Sequence, residues 1–390
     1  MTDSEVFAVL QEEGGLSLAE IGTGRARRHR TVPAGPPPPA GSLHVRAWRH
    51  AGGYTVATNH RASTTPLSVG DADGDGAFRS APGLPGQVAE AAECQVLSDG
   101  AAVAVTRPVA GAGQTTDRRR LFLLRRGAAE WENVPLPDDF RVGGAFGASA
   151  GDFVVHGVRW GAPAGAPGDG ATVLLRVRTE ATGTPLAAPL PDFTAWGRPR
   201  LPLRDRIFPP ADDPGEAFWS SAWHETGADP GSGLVLGTTM SGDLDETLYA
   251  VDFRNRSWAL ANSPRQSVVT ARVSGSEGIR AVTDGGDLWS YHPAHGAPWR
   301  RSGTLRKSLH GLAAQGATGG GPIPRHHLRV TSAAYLADRL VVTLARAGEG
   351  GPPTPVEAVV ATTPDGTDPQ VLYRAAPDGP RLRCLVEPTS

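Results

Sequence analysis

Lysine is almost absent from this chain. Lys307 stands alone among 38 basic residues, the rest being arginine, a skew that GC-rich codon usage produces. Cysteine and methionine occur twice each, and aromatic residues make up 6% of the sequence. No window of about twenty apolar residues occurs, so no membrane-spanning helix is expected. The N-terminal MTDSEVFAVLQEEGG has neither a basic start nor an apolar core, so no secretory leader is expected. With two lone thiols, Cys94 and Cys384, this points to a reducing, cytoplasmic setting. Each cysteine sits in an alternating apolar segment and is expected to be buried. A formal net charge of −2 provides no global field for nucleic acid or membrane. No stretch repeats Ala, Leu, Glu and Lys at a helical period, which disfavours a helical bundle.

Signatures of common chemistry are also missing. No G-x-S-x-G elbow, P-loop, strand–GxGxxG–helix or HExxH frame occurs. The Gly-rich 316–321 precedes no helical pattern, and the sialidase-type S-x-D-x-G-x-T-W box is absent. No cofactor is expected.

Glycine and proline are abundant instead, at 50 and 35 residues, and they are spread along the chain as turn punctuation. Between them a hairpin recurs: LFLLRRGAAEWENVPLP (121–137), LYAVDFRNRSWALANSP (248–264) and LWSYHPAHGAPWRRSGTL (288–305). Weaker copies lie at 16–33, 66–85, 172–191 and 359–377. Their reference positions Leu18, Leu67, Phe122, Leu175, Tyr249, Trp289 and Val360 recur every ~56 residues on average, a blade-sized period. A second hairpin precedes six of them, at 43–58, 88–106, 143–160, 217–240, 267–283 and 328–345.

Two hairpins make a four-stranded blade, so the fold class expected is an all-β, seven-bladed β-propeller of four-stranded antiparallel blades. It forms a single domain, 1–390. Blade one draws on 5–33 plus 381–388, because VFAVLQ (6–11) lacks a partner and RLRCLVEP (381–388) is one unpaired strand. Pairing them closes the ring and removes two exposed edges. The two inter-blade insertions are 191–217 and 306–327.

The aromatic hairpins LYAVDFRNRSW and LWSYHPAHGAPW resemble the second half of a kelch repeat. Paired glycines like those that open such repeats occur at Gly52–Gly53 and Gly143–Gly144. LYAVDFRNRSW is also similar to pyrroloquinoline-quinone propeller repeats, one residue shorter. The resemblance implies a propeller and no particular activity.

Asp71, Asp73 and Asp75 form D-x-D-x-D-G, the opening of a calcium loop. Arg79 and Pro82 occupy the late ligand positions, so a hairpin turn is the preferred reading and no metal is expected. Among the 11 histidines, His292 and His295 fall in a turn, His326 and His327 end a Gly-rich insertion, and His156 reads as a core residue.

Loops after second strands share one propeller face with the inter-blade connectors. Here that face collects His60, Arg61, Arg107, Arg159, Trp160, Arg346, His326 and His327. Arginine with Trp and His suits bidentate and stacking recognition of anions. The preferred function is a non-enzymatic, monomeric binding module or scaffold whose partner is a protein segment or small anionic ligand. The rival is a propeller lyase or hydrolase with a His/Arg or carboxylate site at the channel mouth.

Overall fold

The computed structural model describes residues 6–12, 15–22, 25–32, 43–50, 52–60, 67–73, 79–85, 90–107, 120–138, 140–159, 172–179, 185–189, 234–240, 246–252, 257–260, 268–274, 278–291, 300–306, 328–336, 339–346, 356–375 and 379–388. These residues are almost wholly β. The strands are β1 (Val6–Glu12), β2 (Gly15–Gly22), β3 (Arg25–Val32), β4 (Leu43–His50), β5 (Gly53–His60), β6 (Leu67–Asp73), β7 (Arg79–Ser80), β8 (Glu90–Val96) and β9 (Ala102–Arg107). Then follow β10 (Arg120–Leu124), β11 (Glu132–Val134), β12 (Phe140–Ser149), β13 (Asp152–Arg159), β14 (Thr172–Thr179), β15 (Pro185–Pro189), β16 (Leu234–Met240), β17 (Glu246–Asp252) and β18 (Ser257–Leu260). The last are β19 (Val268–Ser274), β20 (Gly278–Thr283), β21 (Asp287–Tyr291), β22 (Arg300–Thr304), β23 (Leu328–Tyr335), β24 (Leu340–Arg346), β25 (Val356–Thr362), β26 (Gln370–Arg374) and β27 (Arg381–Pro388).

Among the described residues the strands form antiparallel meanders: β8 to β11, β12 to β15, β16 to β18, β19 to β22 and β23 to β26. An eight-stranded sheet has the order β3-β2-β1-β27-β4-β5-β6-β7. It consists of two four-stranded halves, one completed by the C-terminal strand. β27 pairs antiparallel with β1, setting Ala8 opposite Leu385 and Leu10 opposite Leu382. It also touches β4 in parallel, Val386 opposite Ala47.

The sheets stack through their faces. One cluster joins Val341, Val359 and Ala361 of the β23–β26 sheet to Val6, Ala8, Leu382 and Leu385. Another joins Phe7, Leu18, Cys384 and Val386 to Ala47 and Val56. Further clusters join β4–β6 to β8–β10, β9–β11 to β12–β14, and β20–β21 with Leu305 to β23–β25. Middle strands are therefore covered on both faces. This explains runs such as LVVTLA in β24, where Leu340 and Val342 belong to one cluster and Val341 to another. A one-sided sheet would show alternation.

Turns tie neighbouring sheets at the end where first and second strands meet. Asp99 accepts from Ala101 N–H (3.0 Å) in its own turn and from Ala150 N–H (2.7 Å) in the next sheet. Arg125 donates to Glu132 (2.7 Å) and across to Thr179 Oγ1 (2.9 Å). Trp131 is buried just before β11, with Nε1 donating to Pro82 O (2.8 Å). Gly100, at φ 88°, lies against the buried His50 ring, where any Cβ would come within 2.6 Å of Cε1.

Candidate functional site

The opposite end is where second strands finish. His60, Arg107, Arg159 and Arg346 are each the last residue of a second strand. Each pairs with the first residue of the strand before: Leu43, Glu90, Phe140 and Leu328 respectively. They therefore hold equivalent register positions in four sheets. Arg61, Trp160, His326 and His327 lie outside the described residues. So do Asp75, His292, His295 and the greater part of both insertions.

The leading strands share a device beside these positions. In β8, β12, β19 and β23 the register slips by one residue near the strand start, leaving Ala92, Gly143, Val269 and Thr331 unopposed. β27 slips at Arg383. β4 runs without a slip, as does β16, the first described strand of its sheet. Bulges of this kind re-aim side chains and collect at barrel rims and beside sites. Gly143 belongs to the glycine pair noted in sequence, and this slip is what it occupies.

The same tier also carries acid. Asp284 follows Thr283, the last residue of β20, and lies 3.9 Å from Arg329 of β23. Its carbonyl accepts from Val330 N–H at 2.8 Å. The neighbouring Gly285 carbonyl accepts from Arg306 Nε at 2.8 Å.

A second polar group lies where β27 meets β4. Glu387 stands opposite Trp48 in the parallel register. Its carboxylate is 3.6 Å from Arg46, with side-chain exposures of 12% for Glu387 and 42% for Arg46. The Arg46 guanidinium lies 5.0 Å from the Trp48 ring centroid. Burial pushes the Glu387 carboxyl above the usual range, and Arg46 opposes that shift without cancelling it. Four residues earlier on β27, Arg383 donates to Gln11 Oε1 of the adjacent β1. Sequence reasoning did not single out Arg46 or Glu387. Their meeting requires strands far apart in the chain, and the one available signal was the lone carboxylate of the terminal strand RLRCLVEP.

The cysteines are inert by environment. Cys94 and Cys384 are free and buried. Burial pushes the Cys94 thiol up to about 12 and the Cys384 thiol higher still. His50 is a satisfied core residue: Nδ1 accepts from Gly52 N–H at 3.2 Å, leaving Nε2 to donate to Thr55 Oγ1 at 3.1 Å. Of the calcium motif, Asp71 and Asp73 lie within β6. β6 runs through Asp73, with Asp71 opposite Thr55 on one side and Arg79 on the other. No group of three or more potential metal ligands occurs among the described residues. Among them, too, no helix is long and apolar enough to cross a membrane.

No family model matches the chain, and no curated protein matches it in sequence. Solved structures do. Puromycin hydrolase is similar at a TM-score of 0.50 and 15% identity, over 97% of this chain and 53% of that one. The chain thus spans about half the length of that enzyme. The six-bladed β-propeller lectin of Aleuria aurantia is similar at 0.38 and 13% identity, over 87% and 98% of the two chains. The β-propeller domain of the Trilobed protease from Pyrococcus furiosus is similar at 0.35 and 7%, over 85% and 98%. The chain is an all-β protein with β-propeller structural neighbours, which include both lectins and hydrolases.

Proposed function

We propose that the chain forms a closed seven-bladed ring of kelch-like hairpins and acts in the cytoplasm as a monomeric binding module. On this reading His60, Arg61, Arg107, Arg159, Trp160, Arg346, His326 and His327 form a basic face that takes a small anionic ligand or an acidic partner segment. The observation that carries the reading is the repeated register. His60 and three arginines end second strands at equivalent positions, and three of those four sheets have a bulged leading strand beside them. Guanidiniums gathered at one mouth repel each other, and a bound anion relieves that repulsion. The test is thermal shift with a panel of di- and tricarboxylates, phosphates and sulfated sugars at low salt. Arg107→Ala/Arg159→Ala abolishes the shift while keeping the parent melting temperature. A panel with no hit, or a hit unchanged in the double variant, removes the reading.

One observation favours a second reading. Glu387, held protonation-prone by burial beside the half-exposed Arg46, has the features of a general acid next to an anion-binding guanidinium. Under this reading the chain is a hydrolase or lyase. Glu387→Gln would abolish turnover in an activity screen while leaving anion binding at the arginine face intact.

A further inference from the structure

We infer that β3 is a docking edge for an acidic, extended polypeptide segment that adds to the sheet as a further strand. β3 is the outermost strand of its sheet, and no described strand pairs with its far side. That side offers a row of backbone donors and acceptors. Proteins usually blunt such edges by keeping them short, and the other outer strands here do so. β7, β11, β15, β18, β22 and β26 have 2, 3, 5, 4, 5 and 5 residues, against 8 in β3.

The sequence of this edge is RARRHRTV, with Arg25, Arg27, Arg28 and Arg30 in a chain whose formal net charge is −2. The register sharpens the charge. Gly22, Glu20 and Leu18 are opposed by Arg25, Arg27 and Arg30, because the ladder slips at His29 between Arg28 and Arg30. Gly22, Glu20 and Leu18 alternate along β2 and so share one sheet face. The slip therefore brings three arginines into register with that face of β2, where an unbroken ladder would have brought two arginines and a histidine. Their spacing follows the strand's own rise, so alternate residues of an added strand come level with them. β26, which ends at the exposed Arg374, packs beside β3.

The occupant is set by charge. A second copy of β3 would bring arginine against arginine, which disfavours self-pairing. A nucleic acid would use the guanidiniums and leave the backbone row unanswered. An extended segment with Glu or Asp at every second position satisfies both, which is strand addition with charge as its specificity. This surface is separate from the basic mouth of the proposed function and does not depend on it.

The experiment is fluorescence polarisation of the full chain with a labelled alternating Glu-Thr decapeptide, at about 50 mM and about 300 mM salt. Saturable, salt-weakened binding is expected. The uncharged Gln-Thr peptide should bind at least about tenfold more weakly, as should the variant Arg25→Gln/Arg27→Gln/Arg30→Gln. The same Glu-Thr peptide with alternate backbone nitrogens methylated keeps its charge but cannot join a ladder, and it should also lose about tenfold. That arm uses the unaltered protein and holds even where the triple variant is unstable. Arg107→Ala/Arg159→Ala should leave this binding unchanged. The inference is overturned by equal binding of the methylated peptide, by undiminished binding to a triple variant that melts like the parent, or by no saturable binding of the Glu-Thr peptide. A labelled oligothymidylate that binds more tightly than the peptide and needs the same arginines overturns it in favour of nucleic acid.

Discussion

Deleting residues 381–390 removes far more than a tail. Leu382 and Leu385 are 2% and 1% exposed, and Val386 is 6% exposed. The two leucines belong to the cluster that joins the last meander to β1 and β2, and Val386 to the cluster that joins β1 and β2 to β4 and β5. Leu385 N–H also donates to Ser332 Oγ at 3.0 Å, tying β27 to β23. Each buried Leu or Val side chain contributes about 1.5–3 kcal/mol, so the three together contribute about 5–9 kcal/mol. Unfolding entropy of about 2.1 cal/mol/K per residue, taken over the whole chain, converts this to a fall in melting temperature of about 6–11 °C. The deletion also uncovers the edges of β1 and β4, so aggregation at lower temperature should accompany the shift. The assay is calorimetry or circular-dichroism melting of the parent, the deletion and the deletion supplied with a synthetic 381–388 peptide. Partial recovery with the peptide is expected. A deletion that melts within about 2 °C of the parent would refute the ring closure.

Glu387 gives a pH test. Its carboxyl is raised in the folded state, so its contribution is fully present below the unfolded pKa and is lost as pH rises through the folded one. Glu387→Gln should therefore melt higher than the parent at about pH 8 and alike at about pH 4, and a lower melting point at pH 8 would show that the Arg46 pair dominates. Gly366, at φ 78°, has Leu288 Cδ1 and Leu305 Cδ2 2.8 Å from where a Cβ would stand. Gly366→Ala should cost about 1–3 kcal/mol, and calorimetry showing no loss would mean those leucines yield freely. Both thiols should resist maleimide labelling at about pH 8 in the native protein and react in denaturant, as judged by mass spectrometry. Millimolar calcium should leave the melting temperature unchanged; a rise abolished by Asp73→Ala would restore the metal reading.

Strand positions were legible because turns and hydrophobic runs are local. The segment read as RLRCLVEP is β27, residue for residue, and LHVRAWRHAGGYTVAT falls on β4 and β5. Register was not legible. A slipped residue leaves no compositional trace: Ala92, Gly143, Val269, Thr331 and Arg383 share no residue type, yet each shifts its strand by one place. A one-place shift exchanges the two faces of everything beyond it. That is why the strand-end arginines could be named in advance while the alignment of Arg25, Arg27 and Arg30 could not. The Arg46–Glu387 pair was hidden for a different reason: it depends on contact between strands far apart in the chain.

At the end where first and second strands turn, neighbouring sheets are cross-tied: Ala150 N–H to Asp99, Arg125 to Thr179, and Arg126 Nη2 to Gly52 O at 2.7 Å. Ser98 N–H donates to Gly147 O at 3.2 Å in the same zone. These ties fix one sheet against the next. At the other end the leading strands slip register and the long insertions enter. A tie is found there too among the described residues, from Val330 N–H to Asp284 O at 2.8 Å. A site needs side chains aimed inward from several sheets, yet the sheets must keep their spacing. Cross-ties of the kind made by Asp99, Arg125 and Arg126 hold that spacing. The case for a ligand at the arginine-bearing end, as proposed above, rests on the shared register of His60, Arg107, Arg159 and Arg346 and on their charge.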